Sequence, residues 1–191
     1  MSSAPLVVKI TALDLSLSST GWARTPVAPQ GSPAPSPRPR CGVVSPPSSV
    51  GKGVVRLAWL RDAVLDRVDG TDLVVIEGYS FHSRGRGTIA RAELGGVFRL
   101  ALHDRGIPWV EVSPSSLKRY ATGKGNAPKE AVLASAIRRL GYPGHLDDEA
   151  DALWLLAMAQ DHYGLPGAPA MPKSHRKALE GVRWLSPETL S

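Results

Sequence analysis

The chain has 191 residues, 42% of them apolar, which is enough to bury a core without staples and about the size of one medium domain. Its 23 lysines and arginines against 17 acids leave a net charge of +6, and the isoelectric point near 9.8 favours a polyanionic partner. The lone Cys41 excludes an internal disulfide, no His/Cys cluster has zinc spacing, apolar runs such as Ala152 to Ala159 are far too short to span a bilayer, and Met1 to Ile10 lacks the basic-then-apolar order of a secretory signal. The expectation is a soluble protein with no membrane partner, at work in the cytoplasm.

Residues 6–15, LVVKITALDL, are β-branched and apolar with a carboxylate near the end, the pattern of a buried central strand that delivers Asp14 at its C-terminal end. Eight of the 17 prolines fall between Pro26 and Pro47. That density forbids helix or central strand, so about 25–47 reads as an inserted, extended hairpin loop in which Cys41 to Ser45 forms a short returning strand. Residues 52–68 carry Val55, Leu57, Ala58, Leu60, Val64, Leu65 and Val68 close to helical spacing. Leu73 to Ile76 is a second buried strand, ending at Glu77 and Gly78. The spacing then predicts a helix over 88–105, a strand over Pro108 to Val112, a short helix over Ser115 to Tyr120, a longer one over Pro128 to Leu140, and a last helix over Asp148 to His162. No internal repeat is present. This order predicts a mixed sheet with helices on its faces, an α/β domain over 1–164. The remainder, 165–191, begins with Pro and Gly and carries a basic amphipathic piece around Arg176 to Leu185, which reads as a loosely docked tail.

Four carboxylates stand out by placement: Asp14, Glu77, and the pair Asp148 and Asp151 in HLDDEADAL. Each alone has an ordinary explanation, since a strand-end Asp caps a turn and acids at a helix start complement the macrodipole. Jointly they say more. Residues three apart share a helix face, so Asp148 and Asp151 can point at one spot beside the two strand ends; Asp147, four before Asp151, is equally compatible. Converging carboxylates repel one another without cations, and hard ions such as Mg²⁺ take oxygen ligands. Two-metal phosphodiester hydrolysis is the chemistry that needs this arrangement.

The segments ITALDLSLSSTGWA, VVIEGYSF, LKRYATGKGNAPKEAV and DDEADALWLL occur in an order and spacing that resembles the RuvC family of Holliday-junction resolvases, within the RNase H-like superfamily, over roughly residues 7–160. The resemblance implies an RNase H-like fold with a mixed five-stranded sheet flanked by helices. It also implies a homodimeric, Mg²⁺-dependent endonuclease that nicks two like strands of a four-way junction, leaving 5′-phosphate and 3′-hydroxyl ends. Two ions per site are implied, with Mn²⁺ able to substitute, and a branch-migration complex is an implied partner. Asp14, Glu77, Asp148 and Asp151 match the family's four acidic metal ligands, with Asp14 the expected bridge between ions. Some members carry histidine at the third position, which makes His145 a minor rival to Asp148.

Between His82 and Leu140 eleven lysines and arginines face four acids, so the basic surplus lies between the two halves of the acidic set. Arg99, Arg105, Arg138 and Arg139 read as ordinary solvated helix positions. Lys118 and Lys129 match basic residues that the family uses to hold DNA near the scissile phosphate, and Lys124 sits in TGKGN, whose backbone amides can also meet phosphate. The stretch GYSFHSRGRG after Glu77 reads as a cationic loop over the site, with Arg84 and Arg86 as DNA contacts. The family's wedging aromatic falls at Ser80 here; Phe81 beside it is the candidate to stack on bases, with core packing the competing role. Competing functions are a related nuclease acting on flaps or forks, a non-catalytic DNA-binding module, and a phosphate-loop module of the actin and sugar-kinase type. The last needs two such domains and leaves DDEAD unexplained.

Overall fold

The computed structural model of the chain describes residues 8–26, 38–78 and 86–190, the side chains of 86–88 excepted. Most of the proline-rich stretch, together with Tyr79, Phe81 and Arg84 and the side chain of Arg86, therefore lies outside the described residues.

Five strands form one sheet: β1 (Ile10–Asp14), β2 (Thr20–Arg24), β3 (Arg40–Val44), β4 (Leu73–Glu77) and β5 (Trp109–Val112), in the order β3-β2-β1-β4-β5. The first three pair antiparallel, while β1, β4 and β5 run parallel. This is the mixed five-stranded sheet expected. The segment ITALDLSLSSTGWA, whose first part reads as a strand ending near Asp14, is a hairpin: β1 turns back through Ser16–Ser19, where the Ser16 N–H donates to the Thr20 hydroxyl at 3.1 Å and that hydroxyl donates to the Ser16 carbonyl at 2.9 Å.

Helices α1 (Val54–Val68) and α2 (Arg86–Asp104) cover one face, where Leu13, Val74 and Ile76 meet Leu60, Val64, Leu94 and Phe98. The other face carries α3 (Pro114–Thr122), α4 (Lys129–Leu140) and α5 (Asp147–His162) over Ile10, Ala12, Leu73 and Val75. Alternation along a strand sends successive side chains to opposite faces, so Asp14 and Glu77 continue the rows Ile10–Ala12 and Leu73–Val75 and belong to the α5 face. Helix α5 is apolar all round, buried from Ala152 through Gln160, with the Trp154 indole N–H donating to the Val132 carbonyl at 3.3 Å. Each large apolar side chain so buried contributes roughly 2 kcal/mol. Among the described residues no helix is long and apolar enough to cross a membrane.

The tail differs from the expectation of loose docking. A short helix α6 (Lys173–Arg176) and a 3-10 turn at Lys177–Gly181 lie on α3, and Ala178, Leu179, Val182 and Leu190 join the same core as α5. His162 stacks on Trp184 at 4.6 Å between ring centroids, and Arg176 pairs with Asp161 of α5 at 3.0 Å. The sequence hid this because the four buried apolar residues sit in turns with no regular period.

A candidate metal and nucleic-acid site

The parallel register of β1 and β4, Leu13 beside Ile76, sets Asp14 next to Glu77 at the ends of adjacent strands on the same face. Neighbouring strands are about 4.8 Å apart. The two carboxyl groups accordingly act on one another, and the Glu77 charge favours the protonated form of Asp14.

Across the antiparallel pair, Asp14 faces Gly21. That glycine is what lets α5 come down onto the sheet, because a Cβ at position 21 would collide with the backbone carbonyl of Asp148. The start of α5 is thereby seated directly beside Asp14. Its first turn holds Asp147, Asp148 and Glu149, with Leu146 as an N-cap that offers no side-chain bond, so the acids themselves meet the positive end of the helix. Glu149 is drawn aside by the Tyr142 hydroxyl, which donates to it. Asp148 repels both Asp14 and Asp151, and Asp147 repels Asp151. His145, the minor rival to Asp148, is exposed ahead of the helix.

Burial is the largest influence on the protonation of Asp14, Glu77 and Asp151, followed by repulsion from neighbouring carboxylates. It holds Asp14 well above the usual carboxylate range, with Glu77 and Asp148 adding to the effect. Glu77 is pushed up to about 7 by burial and by Asp151. Asp151 is likewise pushed up to about 7, by burial and then by Asp14. Two lysines oppose this: Lys129 acts on Asp14, Glu77 and Asp151, and Lys118 acts on Glu77. Thus Asp14, Glu77, Asp148, Asp151, Lys118 and Lys129 come together from β1, β4, α5, α3 and α4. Lys124 is exposed on the loop between α3 and α4.

Among the described residues no group of three His, Cys, Asp or Glu side chains is closed into a metal-ligand cage. The donor chemistry nevertheless fits a hard divalent ion. The donors are all carboxylate oxygens, Asp14 buried and Glu77, Asp148 and Asp151 half-buried beside it, and the cost of gathering them is relieved by a proton or a cation.

The arginines read as solvated helix positions lie at the surface. Arg99 forms a two-pronged pair with Glu111 at 2.6 and 3.0 Å, and Arg138 and Arg139 are exposed at the end of α4. The sequence reading did not single out Gly21 as a positioning residue. The available signal was a glycine inside a short strand, which often marks a close backbone approach.

No protein-family model matches the chain. It is 36% identical over 118 residues to the crossover junction endodeoxyribonuclease RuvC of Synechococcus sp. (strain CC9311), an alignment covering 59% of this chain and 72% of that protein. It is 37% identical over 111 residues to the protein of the same name from Nocardia farcinica, covering 58% of each. Among solved structures, Thermus thermophilus RuvC superposes with a TM-score of 0.62 at 22% identity, over 86% of this chain and 99% of that one. The same protein in complex with a Holliday junction substrate gives 0.63 at 20% identity, over 87% of this chain and 100% of that one.

Proposed function

The chain belongs to the RuvC family of crossover junction endodeoxyribonucleases, and from that premise we propose that it resolves four-way DNA junctions by paired hydrolysis of phosphodiester bonds. Asp14, Glu77, Asp148 and Asp151 are its metal ligands in this reading, Mg²⁺ its ion with Mn²⁺ able to replace it, and two ions the complement of each site. The observation that carries the assignment is the convergence of three elements' carboxylates into one half-buried, mutually repelling cluster at the ends of β1 and β4.

A bound divalent cation supplies neutralisation of that cluster and acidification of a water for attack on phosphorus. The chain's own residues set up everything else. Asp14 and Glu77 hold their positions on the rigid sheet, while Asp148 and Asp151 are held by α5 at the depth that Gly21 permits. Lys118 and Lys129 bring positive charge to the side of the cluster where a phosphate approaches, and Lys124 with the glycine-rich loop extends that charge outward. Of the two adjacent acids, Asp148 is favoured over Asp147 because its repulsion acts on Asp14 as well as on Asp151. Hydrolysis with 5′-phosphate and 3′-hydroxyl products follows from attack by water with loss of the 3′ oxygen.

The paired cut needs two such sites, hence a homodimer. Its support lies on α2, where Ile89 and Leu100 are both largely exposed on one face, and at the start of α1, where Val54 and Val55 are exposed. A branch-migration complex as loading partner, and action in the cytoplasm, complete the proposal.

The test is incubation with a labelled four-way junction and a matched linear duplex, with Mg²⁺ or with EDTA. Symmetric, ligatable nicks are expected in the junction alone, with metal alone. Asp151→Asn should lower the rate by at least about 1,000-fold while junction binding persists, a loss of roughly 4 kcal/mol in transition-state stabilisation. Asp148→Asn should match it, whereas Asp147→Asn should stay within a few-fold of wild type. Equal cutting of both DNAs would reassign the substrate, and binding without cutting under either metal would make the protein a binding module.

A further inference from the structure

An α-helix leaves its last carbonyls without partners in the helix, and each must find a donor from elsewhere. At the end of α3 the Arg119 carbonyl takes the Gly123 N–H at 2.8 Å, and the Ala121 carbonyl takes the Ser135 hydroxyl of α4 at 2.6 Å. The Tyr120 carbonyl is different. The next N–H in line, that of Lys124, turns instead to the Thr122 hydroxyl at 3.2 Å. The donor to Tyr120 comes from 55 residues further along the chain: Nδ1 of His175, in the tail, at 2.8 Å.

A carbonyl can only accept, so the imidazole carries a hydrogen on Nδ1. Its Nε2 edge then lies against Gly123, where an added Cβ would stand 3.0 Å away. Gly123 is the C-cap of α3 with φ of 86°, a left-handed conformation suited to glycine. One side chain thus caps the helix and forms a wall of the turn that follows it.

The ring is firmly held. Its neighbour Arg176 makes two bonds to Asp161 at 3.0 Å each, and the same carboxylate accepts the hydroxyl of the fully buried Tyr120 at 2.9 Å. Ala178 and Leu179, just beyond, are buried in the core. The turn walled by His175 opens the stretch 123–128 that joins α3, bearing Lys118, to α4, which begins at Lys129. Both lysines act on the carboxylate cluster.

We propose that His175 is a positioning residue of the nuclease site, fixing the loop between α3 and α4 so that Lys118, Lys129 and the loop's own amides meet the DNA backbone at a set spacing. This rests on the nuclease reading above. The imidazole touches no reacting group. Its loss loosens the loop in the free protein, and DNA must then pay to order it, which weakens substrate engagement and leaves the saturated rate intact.

Three variants test this: His175→Ala, His175→Asn, whose amide nitrogen donates from the same position along the side chain, and His175→Phe, which fills the space without donating. Junction cleavage under Mg²⁺ and amide exchange of the metal-free protein are the readouts. His175→Ala should raise KM for the junction about tenfold, the size of one lost hydrogen bond, with kcat within about twofold. Exchange of the Gly123, Lys124 and Asn126 amides should accelerate about tenfold, with β1 and β4 unaffected. Asn should restore both quantities and Phe neither. A fall in kcat at unchanged KM, unchanged loop exchange, or rescue by Phe as good as that by Asn would overturn the proposal. If wild-type protein fails to cut junctions the nuclease reading falls, and the exchange data still decide whether His175 holds the loop.

Discussion

The two faces of the sheet grow from the same strands and end in opposite chemistry. From β1, Ile10 and Ala12 pack toward α5 and Leu13 packs toward α1 and α2; from β4, Leu73 and Val75 go one way and Val74 and Ile76 the other. On the α1–α2 side apolar packing closes over the strands with Leu60, Val64 and Phe98. On the α5 side the next residues in the same rows are Asp14 and Glu77, and the element above them is the acidic start of a helix. Stability is spent on that side, where burial forces carboxyl groups to keep protons near neutral pH. The lesson is that the site lies where one face runs out of apolar partners while the strands themselves remain rigid.

If the close seating of α5 is what distinguishes the two faces, adding one methyl group should break the site. Gly21→Ala drives a Cβ into the Asp148 backbone, so α5 must lift away from Asp14. Overpacking of this kind costs about 1–3 kcal/mol of stability, and a shift of about 1 Å at a reacting centre costs roughly 100-fold in rate. The expected outcome is loss of cleavage by about two orders of magnitude with only a moderate drop in Tm. Gly51→Ala, where an added Cβ meets nothing within 4 Å, should leave both unchanged.

The second difference is electrostatic and appears without any DNA. Glu77 and Asp151 titrate near 7 in the folded chain and near 4 when unfolded, so between those values the folded state binds more protons. The stabilisation that comes with those protons is complete below about pH 4 and is lost as pH rises toward 7, by up to about 1.4 kcal/mol per pH unit for each group. Metal-free protein should therefore lose Tm across this window. Saturating Mg²⁺ should flatten the decline, because the cation replaces the proton as the neutralising charge. Denaturation scans at several pH values, with Mg²⁺ and with EDTA, check this, and a Tm that rises from pH 5 to 7 in EDTA would contradict it.

The sequence exposed the strand-borne half of the site more clearly than the helix-borne half. Asp14 and Glu77 each end a short aliphatic run, and the sheet turned both to the same face. Asp147 and Asp148 were not separable by spacing, because either shares a helix face with Asp151. The rotation and depth of α5 are fixed by contact with Gly21 across the sheet, a non-local fact. Likewise β2 hid in a Ser- and Gly-bearing stretch whose strand character comes from pairing with β1 and β3. The tail read as loose because a Pro/Gly start precedes it, whereas it is anchored by the burial of Ala178, Leu179, Val182 and Leu190 and by contacts distant in sequence: His175 to Tyr120, Arg176 to Asp161 and Trp184 to His162.

The smallest expected effect lies on the other face, where α1 and α2 look outward. Ile89 and Leu100 are 66% and 62% exposed, eleven residues and about three helical turns apart, so both lie on one stripe of α2. Gly96 lies between them with open space where a side chain would be. An exposed apolar stripe costs little in a monomer but is the natural contact for a second copy. Ile89→Glu should therefore leave Tm at low protein concentration within a degree or two while weakening self-association about tenfold or more. Sedimentation reads the association directly. Cleavage should respond in kind, with single nicks replacing paired ones at dilutions where the wild type still cuts symmetrically. If Ile89→Glu stays as associated as the wild type, the stripe is not the contact of the proposed homodimer, which must then form through another surface.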